Sequence, residues 1–228
     1  VNVLLQGITG SRAYGLATEV SDTDRHGIYA LPTRQVLGLR KPEWSQRPDS
    51  DTLYWEAGNA IRLALASNPT VLELLYLPEH EFRTELGEAL CSLRGSLVSR
   101  EAVRRSYLRN AESQAAKMRR RMWTMRKMDW RGDEQKELAE IRKRARSVAI
   151  CLVQGIQLWE TGSITVPLTE ERRASVSAAE QDPVHLDGLL DFTEALMQRE
   201  ESPLPEAPDT PAAENWLLQV REQNWSRK

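Results

Sequence analysis

The spacing of apolar positions changes along the chain from short clusters to long helical runs. Val1-Asn2-Val3-Leu4-Leu5-Gln6-Gly7-Ile8 predicts a strand, and Gly10-Ser11 opens a turn behind it. Arg12 to Thr18 holds one or two helical turns, and Asp22 to Leu31 alternates into a second strand that Pro32 closes. Residues 40–50 are polar and proline-containing, hence loop. Thr52-Leu53-Tyr54-Trp55 is aromatic and β-favouring, a third strand ending near Glu56. Helical spacing then takes over: Glu56 to Ser67 is one helix, Asn68-Pro69 breaks it, and Pro69 suits the start of the next, Thr70 to Tyr76. From Leu86 almost to Glu160 the pattern is helical, with Arg100 to Lys127 and Asp133 to Thr161 as two long helices. Asp129-Trp130-Arg131-Gly132-Asp133 separates them, Gly132 suiting a C-cap and Asp133 an N-cap. Ser163 to Val166 predicts a brief extended piece, and Leu186 to Arg199 a helix. A proline-rich connector then leads to a tail helix, Ala212 to Gln223. This order predicts an α/β module over residues 1–98, with a short mixed sheet and helices, followed by a helical region over 99–228.

Composition narrows the class. The chain has 228 residues, 40% hydrophobic and 28% charged, enough for a core without disulfide or metal staples. No run approaches the ~18 apolar residues of a membrane helix, and no basic-then-apolar signal peptide is visible. Cys91 and Cys151 form no CxxC, so they read as reduced, buried thiols of a cytoplasmic protein. The three histidines, His26, His80 and His185, are too far apart for a His-rich zinc site. The net charge of −2 hides a split. Residues 1–99 carry 9 basic and 12 acidic side chains, residues 100–146 carry 16 and 7, and residues 147–228 carry 6 and 14. The middle segment stands at +9 and needs a partner, either outside the chain or in its own acidic last third.

One segment carries chemistry: Gly10-Ser11-Arg12-Ala13-Tyr14-Gly15-Leu16-Ala17-Thr18-Glu19-Val20-Ser21-Asp22-Thr23-Asp24. Asp22 and Asp24, two apart on a strand, point to one face. Two such charges repel unless a cation lies between them, and rigidly held oxygens suit Mg²⁺. The Gly-Ser turn offers backbone N–H groups and a hydroxyl to a triphosphate. Either feature alone is more often structural. Together they are the parts of a metal-assisted nucleotidyl transfer.

Gly10-Ser11, a ten-residue gap, then Asp22-x-Asp24 resembles the signature of the DNA polymerase beta superfamily of nucleotidyltransferases. The fuller string Gly-Ser-Arg-Ala-Tyr-Gly-Leu-Ala followed by Ser-Asp-x-Asp is similar to its RlaP-like branch, predicted nucleotidyltransferases associated with RNA ligases. Ser67-Asn68-Pro69-Thr70-Val71-Leu72-Glu73 resembles that branch's SNPxxLE block, and Leu204-Pro205-Glu206 its LPE segment. The resemblance implies a nucleotidyltransferase-like α/β (α+β) fold. It implies an enzyme that moves an NMP from an NTP to an acceptor hydroxyl with Mg²⁺ or Mn²⁺, the acceptor being RNA in end modification or repair. A protein or small-molecule acceptor, and a non-catalytic nucleotide-binding regulator, are the alternatives; oligomeric state stays open.

The same resemblance implies a third carboxylate on a neighbouring strand, completing a two-metal site with Asp22 and Asp24. Glu56, twelve residues before Asn68 and after an aromatic, is favoured over Asp51. Asn59 stands where the branch often has Lys. Gly10 and Ser11 would hold phosphates, and Arg12 and Tyr14 would touch phosphate and sugar or simply pack. Arg25 reads equally as phosphate ligand or salt bridge, Glu73 as a cap or pair near Asn68, and His26 as structural. Lys117 to Arg131 mixes cations with Trp123, Trp130 and methionines, a pattern for phosphates and stacked bases of RNA. A core methionine stripe beside a solvated charged face is the competing reading. Lys143, with Arg144 and Arg146, would reach the triphosphate.

Overall fold

The computed structural model describes residues 2–19, 21–39, 41–127, 133–182, 185–199 and 201–225. In chain order the elements are β1 (Asn2–Ile8), α1 (Gly10–Ala13), β2 (Arg25–Ala30), α2 (Thr33–Val36), β3 (Ser45–Gln46), β4 (Thr52–Glu56), α3 (Ala57–Leu65), α4 (Pro69–Tyr76), β5 (Phe82–Arg83), α5 (Glu85–Leu93), α6 (Arg100–Lys127), α7 (Glu134–Thr161), α8 (Glu170–Gln181), α9 (His185–Met197) and α10 (Thr210–Gln223). Two units divide them: Val1–Ala102 with Ile164–Pro167 and Pro205–Lys228, and Val103–Ser163 with Leu168–Leu204. The predicted segments at 128–132, including the Gly132 cap, fall outside the described residues.

The first unit is built on a mixed sheet in the order β3-β4-β2-β1-β5. β1 runs antiparallel to β2 and β5, β2 and β4 are parallel, and β3 is antiparallel to β4. Leu4 and Leu5 are both buried where the pairing of β1 with β2 slips between Val3 and Leu5. They join Ile28, Tyr29, Leu72 and Leu75 in the core, each fully buried leucine or isoleucine contributing about 1.5–3 kcal/mol. α4 is buried almost all round, and it starts where it does because Asn68 accepts the Thr70 and Val71 amides at 3.1 and 3.2 Å, with Pro69 next. α5 crosses β1 so closely that a Cβ on Gly87 would collide with the Leu4 carbonyl oxygen.

α10 also belongs to this unit, packing on α3 and α5. Its buried face carries Ala213, Trp216 and Val220, and the Trp216 indole donates to the Leu86 carbonyl at 2.8 Å. Beside the division expected at 98/99, the first unit runs to Ala102, takes in Ile164–Pro167 and regains the chain from Pro205. The tail helix is amphipathic and its apolar stripe is satisfied there.

In the second unit α7 packs on α8 and α9. Asp133 caps it through the Lys136 amide at 3.1 Å and Gly162 closes it. Two links of α7 to α6, Cys151 Sγ to the Tyr107 carbonyl at 3.7 Å and the Arg121 fork on Glu137, make the two helices antiparallel neighbours. Cys91 and Cys151 are buried and free. The extended piece expected at 163–166 forms no strand, and α8, unread in the sequence, buries only Val176 and Ala179. No described helix is long and apolar enough to cross a membrane.

Candidate active site

The antiparallel pairing of β1 with β2 brings the two halves of the sequence motif together. Ile8 lies opposite Arg25, and the Thr9 amide donates to the Asp24 carbonyl at 2.9 Å. The next residue, Gly10, therefore meets the Asp24 side chain. A Cβ on Gly10 would stand 2.7 Å from Asp24 Oδ2, and its φ is +68°, so only glycine fits. Ser11 follows in the single turn of α1. Asp22 is exposed and Asp24 half-buried.

Arg12 does not reach outward. Its guanidinium donates to the Ser21 and Asp22 carbonyls at 2.7 and 3.2 Å, stitching the turn to the loop that carries the two aspartates. Tyr14 is 1% exposed and hydrogen-bonds Glu73. Of the two readings of Arg12 and Tyr14, contact with phosphate and sugar or packing, the contacts seen are of the second kind, Arg12 spending donors on backbone and Tyr14 lying inside.

Glu73 is the residue that sequence reasoning misplaced. It does not pair near Asn68; α4 carries it beneath the turn, where its Oε1 accepts the Gly10 amide at 2.6 Å. Burial, and then the neighbouring Asp24 charge, push its carboxyl up to about 7 against the pull of the Gly10 and Tyr14 hydrogen bonds. A signal was present: Glu73 is a lone carboxylate amid Val71, Leu72, Leu74 and Leu75, and such a group is rarely buried without a partner. Its bond also occupies the Gly10 N–H that a phosphate would otherwise use. His26 is structural: it lies 2.9 Å from Thr9 Oγ1 and tilts against Trp55, and burial followed by the Arg47 charge lowers it to about 4.

Glu56 lies elsewhere on the sheet. β4 runs parallel to β2 with Thr52 opposite Arg25, so Glu56 stands opposite Tyr29, four residues or ~13 Å along the strand. It is 0% exposed, and Arg221 of α10 binds both carboxylate oxygens at 2.5 and 2.9 Å while the Gly58 amide takes a further bond at 2.7 Å. The favoured third-carboxylate position is thus committed to an internal ion pair and a helix cap. Asp51, the alternative, lies just before β4 as Asp24 lies just before β2, and its carbonyl accepts the Arg25 amide at 2.7 Å. Asn59, at the position where lysine was looked for, donates to the Trp44 carbonyl. Arg25 pairs with Glu81 at 3.1 Å, which takes the salt-bridge reading.

The remaining basic candidates lie in the second unit. Lys143 is exposed on α7, and Arg146 forks on Glu180. Arg119 pairs with Asp187 and Arg121 with Glu137, so part of the positive stretch is neutralised internally. Met118 is buried, whereas Trp123 is 58% exposed. Residues 128–131 of the stretch lie outside the described residues.

Whether the turn suits a divalent cation follows from its donors. Asp22 and Asp24 offer carboxylate oxygens, and the crowding of Asp24 against Glu73 is a strain that such a cation relieves. Among the described residues no three His, Cys, Asp or Glu side chains are grouped as a ready metal cluster, so the remaining ligands would come from substrate and water. The residues fit in this sense.

A family model, RlaP: RNA repair pathway DNA polymerase beta family, matches residues 1–222. The chain belongs to the RlaP family. It is thus a member of a polymerase beta-like nucleotidyltransferase family linked to RNA repair, and its five-stranded mixed sheet with a helical C-terminal region is a nucleotidyltransferase-like fold. No curated protein matches this RlaP chain.

Proposed function

We propose that this RlaP protein transfers a nucleoside monophosphate from an NTP to a hydroxyl of RNA. The observation that carries the reading is the junction of Gly10 with Asp24, which joins the Gly-Ser turn to the aspartate pair. The family's place in RNA repair and the cationic face of α6 favour RNA over a protein or small molecule as acceptor.

In this reading Asp22 and Asp24 hold Mg²⁺ or Mn²⁺. When bound, the ion neutralises phosphate charge and lowers the acceptor's pKa. Ser11 binds the triphosphate from the turn. Glu73 fixes the turn from below, and Arg12 fixes the aspartate loop. The acceptor oxygen attacks the α-phosphorus, the bond to the bridging oxygen breaks, pyrophosphate leaves, and the acceptor proton passes to solvent. Asp51, whose carbonyl accepts the amide of Arg25 next to Asp24, would stand in for Glu56 as the third carboxylate, orienting the acceptor hydroxyl rather than completing a ready metal cluster.

Asp22→Asn and Asp24→Asn should each abolish incorporation of labelled NTP into RNA while thermal stability holds or rises, because each removes one of two like charges. Full activity in either single variant would overturn the reading. Asp51→Asn should lose turnover by ~10²-fold or more, the scale for a lost catalytic electrostatic group.

A further inference from the structure

The strongest unassigned feature lies in the second unit. Between α6 and α7 is a cavity of about 410 Å³, lined by Lys117, Arg120, Arg121, Thr124, Glu137 and Arg144. That volume is in the range of small-ligand sites, yet the lining holds four cations and one carboxylate and no aromatic ring. Arg121 forks on Glu137, and this bond holds the Glu137 carboxyl below its ordinary range, so the pair is ionised and cancels. Thr124 spends its hydroxyl on the Arg120 carbonyl.

Three cations are left. Lys117 and Arg120 enter no ion pair among the described residues. Arg144 Nε is buried and has no hydrogen-bond partner. A buried donor left unmade is costly, and more so on a charged group, unless a ligand takes it. A site offering N–H donors and positive charge without a stacking wall selects phosphate oxygens rather than a base. Trp123, 58% exposed, lies three residues beyond Arg120 on the same helix and supplies a stacking surface next to it.

We infer that the α6–α7 cavity anchors a backbone phosphate of a single-stranded RNA through Lys117, Arg120 and Arg144. The inference rests on RNA being the acceptor, and it separates strand anchoring from the chemistry of the Gly10–Asp24 turn. Internal neutralisation by Asp187 and Glu180 accounts for Arg119 and Arg146; Lys117 and Arg120 stay outside it, while Arg144 shares the charge of Glu137 and keeps its Nε without a hydrogen-bond partner.

The test is fluorescence anisotropy of a short labelled single-stranded RNA on the full chain, without NTP or divalent ion, over a series of salt concentrations. Lys117→Gln/Arg120→Gln is compared with Arg142→Gln/Arg173→Gln, which removes the same charge from exposed positions outside the cavity. All four side chains are exposed, and circular dichroism checks folding. The cavity variant should lose roughly tenfold or more in affinity, and its salt slope should become shallower by about 0.7, the contribution of the one phosphate contact it gives up. The control pair should keep the native slope. Equal losses in the two variants, or none, would overturn the proposal. So would an RNA signal insensitive to the cavity variant while tripolyphosphate binding is lost, since the site would then take a free polyphosphate. Asp22→Asn should bind RNA as the native chain does, so a failure of the transfer reading leaves a distinct result.

Discussion

A carboxyl group buried against another carboxylate leaves its mark on stability. Glu73 stands at about 7 in the folded chain and near its ordinary 4.5 once unfolded. Between these values the folded state holds the extra proton, so stability falls as pH rises. The contribution is whole below about 4.5 and gone above about 7. Glu73→Gln keeps an oxygen for the Gly10 amide and removes the titration. Its melting temperature should therefore lack the native decline between about pH 4.5 and 7, and exceed the native value above it. A decline unchanged in Glu73→Gln, measured in metal-free buffers, would show that Glu73 is not the titrating group. At this scale the sequence displays Gly10, Ser11, Asp22 and Asp24 as a motif because their covalent spacing relates them; the strand expected from Asp22 begins only at Arg25, so both aspartates sit in the loop before β2 rather than on one face of a strand. It does not display the partners of Glu73, Arg12 or Glu56. Those depend on which helix passes behind which strand, and a long side chain commits only after its neighbours are placed.

At the scale of elements, α4 acts as the arm that delivers Glu73. Its start is set by Asn68, whose side chain accepts two backbone amides that would otherwise be unpaired. Asn68→Ala should cost ~1 kcal/mol, read as a lower urea midpoint with an unchanged slope, whereas Asn68→Asp, which retains the acceptor, should stay near the native midpoint. Equal effects of the two changes would mean that the cap contributes nothing. The same capping chemistry explains why helices with a clear cap and apolar period, such as α3, α4 and α7, were legible from the sequence. β3 and β5 have two residues each, too few for alternation to register. α8 carries mostly charged and small residues, so its period is weak, and Ser163 to Val166 is β-favouring locally but finds no strand to pair with.

At the scale of the whole molecule, the chain leaves the first unit after Ala102, touches it again at Ile164–Pro167 and rejoins it from Pro205, and α10 in that last stretch brings the charge that Glu56 needs. A buried carboxylate without its guanidinium costs ~3–5 kcal/mol, whereas removing both partners in favour of apolar groups is often nearly neutral. Arg221→Leu should therefore lower the melting temperature sharply and strip hydrogen-exchange protection from β1 and β2. Amides of α7 and α9, in the other unit, report whether the loss is confined to the first. The double change Glu56→Leu/Arg221→Leu should recover most of the lost stability. This cycle also decides what Glu56 is for. If its role is the internal ion pair, Glu56→Leu/Arg221→Leu regains folding and nucleotide incorporation together. If Glu56 were instead the third ligand of the aspartate site, the double variant would refold and remain inactive, and the assignment would return from Asp51 to Glu56.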